Sequence, residues 1–249
     1  MSLLSKIFGK SSKTKLAADL SLLGVDMHSH FIPGIDDGAQ TMEDSLNLIR
    51  YFHELGYKKV ITTPHVMSDS YRNTPEIILG GLEKVRLALK ENNIPIEIEA
   101  AAEYYMDYDF EEKIDSGKLL TFGDKYVLVE LSFVNPPDNM NHIFFKMITN
   151  GYKPILAHPE RYSFWHKTFE KYEEIKEKGV LLQLNLNSLT GHYSIDTKKV
   201  AQRMIDANLV DFLGSDCHHV GHTELMKHVV YEKALHQLMA SGKLRNASL

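Results

Sequence analysis

The chain has 249 residues, 43% of them hydrophobic and 24% charged, which is the composition of an ordinary folded protein and a length that a single α/β barrel fills. A formal net charge of −5 supplies no basic footprint for nucleic acid, and no apolar run approaches the roughly 20 residues of a membrane span. One cysteine, Cys217, excludes an internal disulfide and points to a reducing compartment, so a cytoplasmic location is expected.

Residues 1–20 form a lead in which Leu3, Leu4, Ile7 and Phe8 alternate with Lys6, Lys10, Lys13 and Lys15. The apolar part is too short and interrupted for a secretory signal. Weak contact of residues 1–15 with an anionic membrane surface stays open beside a plain frayed terminus. From residue 21 to 249 the chain reads as one domain in which short β-rich runs alternate with helical patterns. The predicted strands are Leu23–Met27, Lys59–Thr63, Ile96–Ala101, Tyr126–Leu131, Pro154–Ala157, Val180–Leu186 and Asp211–Leu213. Thr41 and Asp44 form a capping signal for a first helix that stops at Gly56. Further helices are predicted over Thr74–Asn92, Asp109–Ser116, Asn139–Asn150, Thr168–Lys178, Asp196–Ala207 and Thr223–Ser241. Seven βα units with short connections predict a parallel barrel.

Chemistry-bearing residues recur where these strands end. His28 and His30 stand at i and i+2 of an extended segment, so their side chains share a face. Asp36 and Asp37 follow, then His65, Glu103, Glu130, His158, Asp216 and His218. In a βα barrel the C-terminal strand ends meet at one mouth, so these residues converge. A lone histidine at a strand end is usually a satisfied core or surface residue. Five histidines and four carboxylates at the same mouth are another matter, because burying them together without cations would strand charges and lone pairs. Mixed nitrogen and oxygen donors suit Zn, Mn or Fe, and nine ligands exceed the needs of one ion, so two or three ions with a bridging carboxylate are expected.

The segments DMHSHFIPGIDDG, TTPH, AAEYY, the Glu of LVELSF, LAHPERY and GSDCH resemble the polymerase and histidinol phosphatase (PHP) superfamily, and within it the manganese-dependent protein-tyrosine phosphatases of bacterial capsule and exopolysaccharide clusters. The likeness runs from about Gly24 to Thr223. It implies a distorted (β/α)7 TIM-like barrel, a centre of up to three Mn ions (with Fe, Zn or Mg as other candidates), and a phosphotyrosine substrate on a membrane-anchored bacterial tyrosine kinase. Carried over by position, it assigns His28, His30, Glu103 and Asp216 to one ion. Glu103, Glu130 and His158 go to a second, and Asp37, His65 and His218 to a third. Asp37 rather than Asp36 matches the motif, leaving Asp36 as a turn residue.

Arg161, three residues beyond His158, is placed to take two phosphate oxygens with its planar fork. Tyr104 and Tyr105, just past Glu103, are candidates to wall the cavity against a phenol ring. Members of the family carry an arginine after the Ser-Asp-x-His motif, whereas this chain reads His219-Val220-Gly221-His222. His222 or His192 is then the candidate donor to phosphate. Such a centre supports direct attack of an activated water on phosphorus without a covalent phosphoenzyme. The Cys-x5-Arg loop of thiol-dependent tyrosine phosphatases is missing around Cys217. Three rivals stay open: a small-molecule phosphomonoesterase of the histidinol-phosphate type, an amidohydrolase, whose usual bridging lysine is replaced here by Glu103, and a metal-stabilised binding partner without turnover.

Overall fold

In the computed structural model, which describes residues 16–249, every strand pair is parallel. The strands are β1 (Val25–Asp26), β2 (Lys59–Thr62), β3 (His65–Val66), β4 (Glu97–Ala100), β5 (Glu103–Tyr105), β6 (Tyr126–Glu130), β7 (Lys153–Ala157), β8 (Leu181–Asn185) and β9 (Phe212–Gly214). One ladder runs β1-β2-β4 and a second runs β3-β5-β6-β7-β8-β9. They are one wall, because β3 continues the path of β2 after Thr63-Pro64, and β5 continues β4 after Ala101-Ala102. Proline has no amide hydrogen to give a ladder, which accounts for the first break.

The wall closes where its two ends meet. His30 N–H donates to the Cys217 carbonyl (3.0 Å), Asp216 N–H to the His28 carbonyl (2.8 Å), and Ser215 N–H to Asp26 Oδ1 (2.8 Å). With β2/β3 and β4/β5 each taken as one staggered strand, the result is the distorted TIM-like barrel expected from the alternation of elements. Residues 1–15 of the basic lead lie outside the described residues. The packed body takes up the chain by Ala18, whose N–H donates to the Val230 carbonyl at 2.8 Å, and Leu20 is already buried.

Strand alternation divides the apolar side chains into two sets. Val25, Met27, Ile61, Leu128, Ile155, Ala157 and Phe212 fill the barrel beneath the mouth, while Val127, Val129, Leu156, Leu182 and Leu184 face the helices. Helix α1 (Met42–Glu54) opens on the predicted cap: Thr41 Oγ1 accepts from Asp44 N–H, and the Asp44 carboxylate in turn accepts from Thr41 N–H. Helices α2 (Pro75–Glu91), α3 (Phe110–Asp115), α4 (Met140–Thr149), α5 (Glu170–Glu177) and α6 (Ile195–Asp206) follow within a few residues of expectation. The last predicted helix, Thr223–Ser241, is corrected to two, α7 (Val220–Val229) and α8 (Lys233–Ala240). The Val230 carbonyl is drawn out of the helical ladder by Ala18 N–H and by the His236 ring at 3.0 Å, contacts that periodicity cannot foresee.

Candidate metal centre

The mouth of the barrel holds a cavity of about 360 Å³ whose lining includes Asp37, His65, Glu130, His158, Arg161, Asp216, His218 and His222. His28, His30 and Glu103 lie fully buried beneath these. All nine candidate ligands therefore come together, although they span positions 28 to 218.

The most ordered group is formed by His28, His30, Glu103 and Asp216. His28 Nδ1 lies 2.9 Å from Gln183 Oε1, and His30 Nδ1 lies 2.8 Å from Asp36 Oδ2. Both partners are acceptors, so each Nδ1 carries a proton and each Nε2 is the nitrogen turned to the cluster. Those Nε2 atoms are only 3.3 Å apart. From His28 Nε2 it is 3.2 Å to Glu103 Oε2 and 3.4 Å to Asp216 Oδ1, and from His30 Nε2 the same atoms are 3.5 and 3.6 Å away. Four potential ligand atoms thus point at one spot. Ligands at ~2.0–2.2 Å around a tetrahedral cation are separated by about 3.3–3.6 Å, so the spacing fits a metal ion.

Around Glu103 the cluster extends. His158 Nε2 stands 3.2 Å from Glu103 Oε1 and 3.5 Å from Glu130 Oε1. His65 Nδ1 stands 3.1 Å from Glu103 Oε2, and neither atom has a hydrogen-bond partner. A third group joins His30, Asp37, His65 and His218. Asp37 Oδ1 is 3.5 Å from both His65 Nε2 and His218 Nε2, while His218 Nδ1 is occupied by the Asp216 carbonyl at 3.0 Å. The His65 ring accordingly stands between two groups, where the sequence reading gave it to one.

The buried carboxylates and imidazoles of the cluster shift one another. Against the cost of burial, His28 and His65 hold Glu103 well below the usual carboxylate range, and His28 and His218 do the same for Asp216. Burial, reinforced by the charges of Glu103 and Asp216, pushes Glu130 well above that range. Against the cost of burial, Glu103 pushes His28 up and Asp36 pushes His30 up, so in the protein alone the imidazoles supply positive charge that bound cations would take over. Two backbones bend at the cluster: His158 (φ 33°) and Asp216 (φ 50°) adopt the left-handed region that residues other than glycine seldom enter.

Arg161 is mostly buried at the cavity wall. Its Nη1 donates to Asp216 Oδ2 at 2.9 Å, and its guanidinium lies 4.7 Å from the Phe133 ring and 4.1 Å from the Tyr193 ring. Two rings therefore hold the plane of the fork. His222 lines the cavity, with burial and then the neighbouring His219 pushing its imidazole down to about 4, so it is neutral near pH 7. His192 is exposed and stands with its ring 5.7 Å from that of His222.

Two tyrosines are corrected. Tyr104 does not reach the cavity: it follows Glu103 on the strand and turns outward, where its ring packs on Phe110 and its hydroxyl accepts from Leu120 N–H at 2.8 Å. Tyr105 is half-buried and is not part of the lining. The aromatic walls are instead Tyr71 and Tyr193, on loops outside the ligand motifs, and Phe133, three residues past Glu130. Asp36, read as a turn residue, is buried, orients His30 and accepts from His65 N–H at 3.1 Å. Also unforeseen are Gln183 and Asn185, inward residues of β8. Gln183 Oε1 accepts from His28 and from His158 N–H (3.3 Å), its Nε2 donates to Asn185 Oδ1 (2.8 Å), and Asn185 Nδ2 donates to Asp216 Oδ2 (2.6 Å). Buried amides at i and i+2 of an otherwise apolar strand were the signal available.

Fold and cluster together define a TIM-like barrel protein with a metal-binding site at its mouth. In fold it is similar to an amidohydrolase from Mycoplasma synoviae (TM-score 0.53, 15% identity, 95% of this chain and 89% of that one). A histidinol phosphate phosphatase from Lactococcus lactis shares it too (TM-score 0.52, 13% identity, 84% and 94%). Residues 24–234 match the family described as capsular polysaccharide synthesis, CpsB/CapC, and the chain belongs to that family. It is 30% identical to the tyrosine-protein phosphatase YwqE of Bacillus subtilis over 79% of this chain and 78% of that protein. It is 27% identical to the putative tyrosine-protein phosphatase CapC of Staphylococcus aureus over 88% and 90%. A solved chain from work on YwqE of Bacillus subtilis and CpsB of Streptococcus pneumoniae, described there as unique metal-dependent tyrosine phosphatases, matches with a TM-score of 0.77. That match has 29% identity and covers 89% of this chain and 94% of that one.

Proposed function

We propose that this protein is a metal-dependent protein-tyrosine phosphatase. The observation that carries the reading is the convergence of two Nε2 atoms and two carboxylate oxygens on one point, beside an arginine fork open to a cavity. Family membership supports the substrate class. We assign His28, His30, Glu103 and Asp216 to one ion, Glu103, Glu130 and His158 to a second, and Asp37, His65 and His218 to a third, with Mn as the native metal.

Divalent ions held there supply Lewis acidity toward phosphoryl oxygens and lower the pKa of a water. The protein's own groups supply the rest. Gln183 and Asp36 hold the Nδ1 sides of His28 and His30, so the Nε2 atoms are the ones that would offer lone pairs to an ion. Arg161 offers paired N–H groups to two oxygens of the phosphoryl group, in the charge-assisted geometry that planar guanidinium favours. Tyr71, Phe133 and Tyr193 give a phenol ring apolar walls. Thiol chemistry is unsupported: Cys217 is fully buried, and burial followed by the Asp26 and Asp216 charges pushes its thiol well above the usual range.

The physiological substrate on this reading is the phosphotyrosine segment of a membrane-anchored bacterial tyrosine kinase that governs polysaccharide synthesis or export, and the capsule family supports it. We place the enzyme in the cytoplasm, on the lone cysteine; no helix among the described residues is long and apolar enough to cross a membrane. Protein purified without chelator should contain metal, turn over para-nitrophenyl phosphate and a phosphotyrosine peptide, lose both activities on chelation, and regain them with Mn. Turnover that survives complete metal removal overturns the reading.

A further inference from the structure

Beside the mouth lies a second cavity that the proposed chemistry does not use. The loop following β3 separates the two. Met67 and Tyr71 face the metal cavity, Ser68 and Arg72 face the second, also of about 360 Å³, and Met67 lines both. Tyr108, Asp109 and Lys113 close its far side. The dividing loop is held in shape: Met67 and Tyr71 exchange backbone hydrogen bonds (2.8 and 3.1 Å), Ser68 N–H donates to Asp107 Oδ2 (2.8 Å), and Asn73 Nδ2 donates to the carbonyls of Ile35 and His65. A cavity with such a wall exists before anything enters it.

Its polar groups are set for an anion. Arg72 is anchored through Nε to the Ser68 carbonyl at 2.6 Å, and this is its one hydrogen bond among the described residues, so the terminal nitrogens stay open. Lys113 stands opposite, and its nearest carboxylate, Asp109, is 4.0 Å away. Ser68 is 7% exposed, and its buried hydroxyl oxygen has no partner. The opposing charges are Asp109 in the lining and Asp69, which faces the Tyr108 hydroxyl at 3.5 Å, while Asp107 is engaged by the backbone amides of Ser68 and Asp109. The lining itself therefore carries two cations and one carboxylate.

We propose that this cavity is a subsite for an anionic group, carboxylate or phosphoryl, carried on the same peptide as the scissile phosphotyrosine; the proposal rests on the phosphatase reading. A phosphotyrosine seated in the first cavity leaves its backbone at the mouth. An extended peptide advances about 3.3 Å per residue, so a side chain two or three positions away lands roughly 7–10 Å along, about the thickness of the single loop crossing at Met67. Arg72 and Lys113 then determine specificity without touching the reacting atoms.

The test compares kcat/KM for phosphotyrosine peptides that differ only in one residue two or three positions from the target on either side: Ala, Asp or a second phosphotyrosine. Para-nitrophenyl phosphate, which has no flank, is the control. Wild type should prefer at least one anionic peptide by about three- to tenfold, the scale of two exposed ion pairs, with the preference shrinking in high salt. Arg72→Ala/Lys113→Ala should lose the preference and keep wild-type kinetics on para-nitrophenyl phosphate, and Arg72→Glu/Lys113→Glu should disfavour the anionic peptides. Acceleration by both anions identifies a general anion site, and acceleration by the phosphorylated flank alone identifies a phosphoryl site. Turnover of all peptides at one rate by wild type, or a preference that persists in both variants, overturns the subsite. Failure of wild type to turn over even para-nitrophenyl phosphate overturns the phosphatase reading and the subsite with it.

Discussion

Replacing Arg161 by alanine isolates phosphate recognition from metal binding, because of how Asp216 is partnered. Asp216 Oδ2 takes Arg161 at 2.9 Å but also Asn185 Nδ2 at 2.6 Å, while its Oδ1 is the oxygen that faces His28 and His30. Truncation leaves Oδ2 with one good donor and leaves Oδ1 untouched, so metal content should hold. The fork itself is lost. Removing one preorganised, charge-stabilising donor costs on the order of 10²-fold in rate, or about 2.7 kcal/mol of transition-state stabilisation. Arg161→Lys should recover only part of this, since a point charge neither forms the bidentate pair nor stacks between Phe133 and Tyr193. The assay is kcat/KM on para-nitrophenyl phosphate, with metal measured by mass spectrometry and inorganic phosphate as inhibitor. Phosphate should inhibit wild type more strongly than the alanine variant. Unchanged kcat/KM with equal phosphate inhibition refutes the role, and loss of metal refutes the placing of Asn185 as sufficient support for Asp216.

Glu103→Ala should cost more than one equivalent of metal and His65→Ala about one, measured on protein reloaded with Mn; full metal content in the Glu103 variant rules out a bridging carboxylate. Cys217→Ser should keep most activity while chelation removes it, and a dead serine variant that folds and binds metal contradicts the metal mechanism. Gln183→Leu strips His28 of its Nδ1 acceptor and should weaken Mn affinity by about 10–100-fold in a binding titration. Unchanged affinity shows that the tautomer is set elsewhere. Gly214→Ala places a methyl 2.7 Å from His28 Cβ and from Gln183 Nε2, so thermal unfolding should show a loss of about 1–3 kcal/mol, and an unaltered Tm means the barrel seam yields more easily than it looks.

What sequence could reveal was what depends on strand order alone. Apolar runs ending in His, Asp or Glu announced both the parallel wall and the convergence of its ligands, because a βα barrel sends every strand end to one mouth. Residues whose roles depend on partners far along the chain stayed hidden. Asp36, adjacent to and chemically equal with Asp37, reads as a turn residue, yet it is buried against His30 and accepts from His65 N–H. Tyr104 was misplaced because proximity to Glu103 was weighed above the period of two that sends neighbours to opposite faces. Phe133 and Tyr193 carry no ligand chemistry, and only their packing on Arg161 marks them. The split between α7 and α8 depends on a backbone bond from Ala18, two hundred positions away.

The seam between the first and last strands bears on how the molecule is made. His28 and His30 lie near the start of the chain and Asp216 and His218 near its end, and their approach depends on the bonds that join Asp26, His28 and His30 to Ser215, Asp216 and Cys217. A ribosome delivers these halves far apart in time, so the early histidines emerge without the carboxylate that completes their group. Closing a loop of this span comes late in folding, because its entropy must be met before its contacts form. On the proposed assignment, metal capture and barrel closure are therefore one event, deferred until residues 215–218 have been made, and the nascent chain offers metal no finished trap in the meantime. A truncated chain ending before Ser215 should neither bind Mn tightly nor show the cooperative unfolding of the full protein.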